Sequence, residues 1–200
     1  MDPRFLEIPG YVEACHLQDE RRDAAFLDLQ PTLCGFPCLD MTARHLAILI
    51  HARSPFVCGG FPLAENVAQF LWVLHPQFSY TDTATRDAFI QECAALDYQE
   101  AVKAITDYVE ACFMDAPPSG GKGGESYNSF MASLVDVLAR EYGWTRGEVL
   151  ALPLSELFQY IRLIDHRNTA GKEPQINKLS DGAKGRWLAS VQPPPANADN

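Results

Sequence analysis

Six cysteines, at positions 15, 34, 38, 58, 93 and 112, and five histidines, at 16, 45, 51, 75 and 166, are the side chains best suited to bind a metal or attack a substrate. Cys34-Gly35-Phe36-Pro37-Cys38 is the one close cysteine pair. With Cys58 or His45 it offers thiolate and imidazole, which are suitable zinc ligands. The spacing is C-x3-C, however, no second pair follows, and Cys58 stands alone before Gly59-Gly60. His45 and His51 are six apart on one expected helix and so occupy different faces, not the i, i+4 pairing that a metal requires. Free thiols in a reducing compartment are the better reading of the cysteines. Cys93 and Cys112 fall on apolar helix faces, where a free cysteine acts as a small hydrophobe.

Other catalytic signatures are missing or incomplete. Ser119-Gly120-Gly121-Lys122-Gly123-Gly124 looks superficially like a phosphate loop. Gly123 follows the lysine where a hydroxyl is needed for magnesium, and Ala116 stands where the first glycine belongs. No G-x-S-x-G, H-E-x-x-H or G-x-G-x-x-G occurs in the chain. The sequence therefore assigns no catalytic, cofactor-binding or metal-binding residue, and a non-enzymatic role is expected.

The elements that would position a binding site are helical. Apolar residues recur at i, i+4, i+7, i+8 and i+11 in Leu63, Val67, Phe70, Leu71 and Leu74, an amphipathic helix stopped by Pro76. The same period predicts helices over 42–52, 83–96, 98–114, 126–142 and 153–165. Thr145-Arg146-Gly147-Glu148 reads as a capping box opening a short helix, and Pro153 suits the first turn of the next. Glu20 to Leu29 is read as a further helix, and a short one is expected around Trp187. Almost nothing alternates with period two. Ser54 to Pro62 reads as an apolar, Gly- and Pro-rich loop.

The expected fold is all-α, a helical bundle followed by a smaller helical unit. Residues 1–115 form the acidic bundle, 116–125 a flexible Pro/Gly linker, 126–170 the small unit, and 171–200 a polar, partly disordered tail. The 200 residues carry 16 Lys and Arg against 26 Asp and Glu, a net charge of −10. Residues 1–115 hold seven basic and seventeen acidic side chains, and the remainder holds nine of each. Arg162, Arg167, Lys172, Lys178, Lys184 and Arg186 place the basic excess near the C-terminus. So acidic a body is poorly matched to a phosphate backbone, so nucleic acid is not expected as a partner. No apolar run nears the ~18 residues of a membrane span, and the first residues lack the order of a secretion signal. A cytoplasmic protein without a membrane partner is the expectation.

Recognition through packing remains, with large aromatic side chains as anchors. Phe56, Phe61 and Trp72 in the first unit, and Trp144 and Phe158 in the second, are the candidate partner-contact residues. Residues 130–142, the Gly143-Trp144 corner and the helices beyond could also form a helix-turn-helix. Its second helix, Glu148 to Leu152, is short and apolar, which leaves only Gln159 and Arg162 as a reading surface.

Two stretches together resemble a known group. One runs from Leu46 through Ser54-Pro55-Phe56 and the glycines to Leu71-Trp72-Val73-Leu74. The other runs from Tyr142-Gly143-Trp144-Thr145 through Glu148-Val149-Leu150-Ala151-Leu152-Pro153-Leu154 to Tyr160. This order, over about half the chain, resembles phage and prophage tail assembly chaperones. The resemblance implies a non-enzymatic protein that coats a long helical tape-measure protein in the host cytoplasm, keeps it from aggregating and helps recruit tail-tube subunits. A structural virion component of the head–tail connector type and a helix-turn-helix regulator are the alternatives.

Overall fold

A computed structural model describes residues 10–27, 31–116 and 129–168. Residues 117–125 of the expected linker, the expected tail over 171–200 and the helix expected around Trp187 lie outside the described residues. The rest is all-α apart from one tiny hairpin. In chain order the elements are α1 (Tyr11–Ala24), β1 (Thr32–Leu33), β2 (Phe36–Pro37), α2 (Ala43–His51), α3 (Pro55–Cys58), α4 (Ala64–Leu74), α5 (Thr83–Cys93), α6 (Tyr98–Cys112), α7 (Phe130–Tyr142), α8 (Arg146–Ala151) and α9 (Leu154–Asn168).

Most helices start where a short polar side chain can satisfy their free N–H groups. Asp82 accepts from Thr85 N–H at 3.0 Å, Asp97 from Glu100 N–H at 2.9 Å, and Ser129 from Ala132 N–H at 3.0 Å. The capping box expected at Thr145 and Glu148 is present. A second, formed by Thr42 with His45, opens α2. Gly143 ends α7 in the left-handed region at φ 71°, a conformation that costs a residue with Cβ.

The amphipathic helix expected over 63–74 proves to be the centre of the molecule. In α4 Val67, Ala68 and every residue from Phe70 to Leu74 are buried, because α2, α5 and α6 pack around it. Two expectations are corrected, and one element was not anticipated. The first helix spans Tyr11–Ala24, not Glu20–Leu29; its inward stripe of Tyr11, Cys15, Gln18 and Arg22 lacks an apolar period. Residues 55–58 in the expected loop form a helical turn, begun by Pro55 in the first position. The Cys34-Gly35 pair turns an antiparallel hairpin, Leu33 opposite Phe36, with both turn residues at positive φ, 54° and 85°.

The helices on either side of residues 117–128 share one hydrophobic core. The strap from 39 to 43 stitches them together. Leu39 N–H bonds Leu74 O at 2.8 Å, Leu154 N–H bonds Met41 O at 2.8 Å, and Ala43 N–H bonds Leu152 O at 3.2 Å. Tyr108 Oη accepts from Met41 N–H at 2.9 Å. Phe158, Leu154 and Leu157 of α9 are sealed in that common core.

Candidate functional site: an exposed aromatic corner and a buried ion network

Between α2 and α4 the chain makes a fixed turn that carries an aromatic outward. Gly59 and Gly60 sit at φ 79° and 122°, conformations that glycine permits and L side chains rarely adopt, and Gly59 N–H is tied to Pro55 O at 3.0 Å. Pro62 follows, and its carbonyl accepts a hydrogen bond from Tyr98 Oη at 2.5 Å. Phe61 between them is 80% exposed. Ile50 and Leu63, at the adjoining ends of α2 and α4, are also exposed, as is Cys58, whose sulfur lies 4.0 Å from Ile50 O. A large apolar ring on a turn pinned at both sides loses little freedom on binding, which favours it as an anchor.

The other candidate contact residues are placed differently. Phe56 is half-buried, its ring 5.3 Å from that of Phe70. Trp72 is buried and packs on His75, Phe78 and Phe89. Phe158 is fully buried against Phe113. Trp72 and Phe158 are therefore core residues, and the contact role expected of them gives way to packing. Trp144 is half-buried in an aromatic group with Tyr142 at 4.8 Å and Tyr160 at 5.0 Å. Arg167 closes this group, bonding Tyr142 Oη at 2.5 Å with its guanidinium over the ring. Phe26, half exposed, meets Tyr160 edge-on from the end of the α1 segment.

At the opposite level of burial lies an ion network that sequence reading missed. Arg22 of α1 directs Nε and Nη2 at Asp115, at 3.0 and 2.9 Å, and Nη1 at Asp19, at 2.8 Å. Arg162 of α9 also bonds Asp115. Arg22 and Asp115 are both almost fully buried. Burial alone would lower the arginine pKa, but Asp115 and Asp19 outweigh it and leave the guanidinium more firmly protonated than usual. Gln159 adds a hydrogen bond from its amide to Arg22 O at 3.0 Å. Beside the network is a cavity of about 310 Å³, walled by α1, the end of α6 and the start of α9. Arg22 and Asp115 stand 93 residues apart in sequence, and no local pattern announces such a pair.

Three of the thiols are poorly suited to chemistry. Burial pushes Cys38 and Cys93 up to about 11 and Cys112 to about 12. All three stay protonated at neutral pH, whereas the thiolate is the nucleophile and the ligand. Among the described residues no three His, Cys, Asp or Glu side chains gather as metal ligands. No described helix is long and apolar enough to cross a membrane. The fold and site together define an all-α protein with an exposed aromatic corner. No protein-family model matches the chain, and no curated protein or solved structure matches it either.

Proposed function

We propose that the protein is a non-enzymatic adaptor that binds the apolar stripe of a long helical protein, as a phage tail assembly chaperone does with its tape-measure protein. The observation that carries this reading is Phe61, exposed on a turn tied on one side by the Gly59 N–H to Pro55 O hydrogen bond and on the other by Tyr98 Oη to Pro62 O. An amphipathic helix presents an apolar stripe at i, i+3, i+4 and i+7, which an exposed apolar ring can engage, and Ile50 and Leu63 at the ends of the flanking helices are exposed as well. The acidic charge of residues 1–115 keeps copies of the adaptor apart while that apolar corner stays exposed. The non-enzymatic part is supported by how the buried ionisable groups are used. Arg22, Asp115 and Arg162 hold one another, and Tyr108 holds the backbone of Met41.

The test is co-expression with a tape-measure-type protein encoded beside this one. The wild-type chain raises the soluble fraction of the long protein and co-purifies with it. The Phe61→Asp variant keeps its fold by circular dichroism and loses both effects. A long protein that stays insoluble beside the wild-type chain, or is rescued equally by Phe61→Asp, overturns the reading. Recovery of the chain from finished virions instead would favour a structural component.

A further inference from the structure

The first helix is held to the body unlike the helices that build the core. Its buried stripe is Tyr11, Cys15, Gln18 and Arg22, at i, i+4, i+7 and i+11, so half of the inward face is polar or charged. Its large aliphatic residues Val12 and Leu17 face outward and are exposed. Gly10 starts it without a side-chain cap. The long-range attachments of its last turns include the Arg22–Asp115 ion pair and the bond from Gln159 to Arg22 O. In α4, by contrast, seven apolar side chains are buried. Polar attachments exchange for water with a small net change, while apolar burial does not. A helix held this way belongs to the least stable layer of a fold, the layer that opens without global unfolding.

What it covers is also particular. Arg21, Arg22, Ala24 and Ala25 form one wall of the 310 Å³ cavity, and Met41, Tyr108, Cys112 and Met114 form much of the other. We propose that α1 is a removable strap, latched by Arg22 to Asp115, which lifts as a unit while the remaining helices stay folded. Its departure widens the partly open cavity into a groove between α6 and α9, lined by Met41, Cys112 and Met114. The groove has the form of the helix that left it and provides a second seat for a helical partner. That use rests on the function proposed above; the opening itself does not.

The cysteines supply internal probes. Cys15 is sealed on the inner face of α1, Cys112 borders the cavity, and Cys38 and Cys93 are buried elsewhere in the core. Thiol labelling of the native full chain, read at each cysteine by mass spectrometry, is divided by the rate for the same thiol in the unfolded chain. The expected result is that Cys15 and Cys112 become reactive together, at least about tenfold faster than Cys38 and Cys93. Asp115→Asn raises the first pair further and leaves the second within about twofold. Four cysteines labelling at one common rate, Cys112 reacting while Cys15 stays protected, or Asp115→Asn accelerating all four alike would each overturn the proposal. No partner is needed, so this outcome is independent of the adaptor reading.

Discussion

Arg22 and Asp115 close a buried, two-pronged ion pair, with Nε and Nη2 of the arginine at 3.0 and 2.9 Å from the carboxylate. The pair joins the first helix to the end of α6, and Arg162 brings α9 to the same carboxylate. One carboxylate thus anchors three chain segments that share no local sequence.

Removing the Asp115 charge leaves buried Arg22 with only the partly exposed Asp19 as counter-charge, and loss of a buried ionic partner costs up to about 3–5 kcal/mol. The cost falls on the attachment of α1. Amide exchange of residues 11–24 in Asp115→Asn accelerates accordingly, while Asp115→Leu combined with Arg22→Met restores most of the protection. Unchanged exchange in the single variant would show that the pair contributes nothing to holding the helix.

Stability falls as the pH drops below the ordinary histidine range. Burial lowers the pKa of His45, whose Nδ1 lies 3.2 Å from the N–H of Thr42 in the α2 cap, and that of His75, stacked on Trp72. A folded-state pKa below the unfolded value means that the unfolded chain takes up protons first. The stability present above the unfolded value therefore declines as pH falls through that window, and levels off once the folded rings also protonate. Urea midpoints measured from pH 7.5 down to about 5 show the decline, and His45→Gln flattens it. A midpoint that rises on acidification would contradict these directions.

Ser54 offers a gain rather than a loss. Its hydroxyl is buried without a hydrogen-bond partner and does not cap α3. Ser54→Ala removes an unsatisfied polar group and is expected to stabilise the protein by about 1 kcal/mol. A loss of more than about 0.5 kcal/mol in chemical denaturation would mean that the hydroxyl has a role the static structure does not show.

The two phenylalanines once expected to act alike should separate. Phe158→Ala opens a cavity in the shared core and is expected to cost about 3–5 kcal/mol. Phe61→Ala should change stability by no more than about 0.5 kcal/mol. Equal midpoints for the two variants would contradict the burial of one ring and the exposure of the other.

The helices were legible where an apolar period and a polar cap coincide, as in α2, α6 and the Thr145–Glu148 box. They were misread where the inward face is polar. Gln18 and Arg22 break the period of α1, so only the contact with Asp115 reveals which side is buried. The hairpin carried one usable signal, Gly35 at the second turn position, but Cys34 in the left-handed region replaces the usual Asn or Asp. Among the candidate contacts, aromatic identity alone could not separate Trp72 from Phe61. Both are large apolar rings, and the difference comes from their surroundings: residues 70–74 of α4 are all buried, while residues 59–61 of the turn are exposed.

The most direct measurement is photo-crosslinking from position 61 in the co-expressed pair. A photoreactive phenylalanine analogue there should join the chain to the long helical protein, at residues on that protein's apolar stripe. The same analogue at exposed Tyr80, away from the corner in sequence, should give little product. Crosslinks from position 80 with none from 61 would contradict the claim that this corner is where the partner binds.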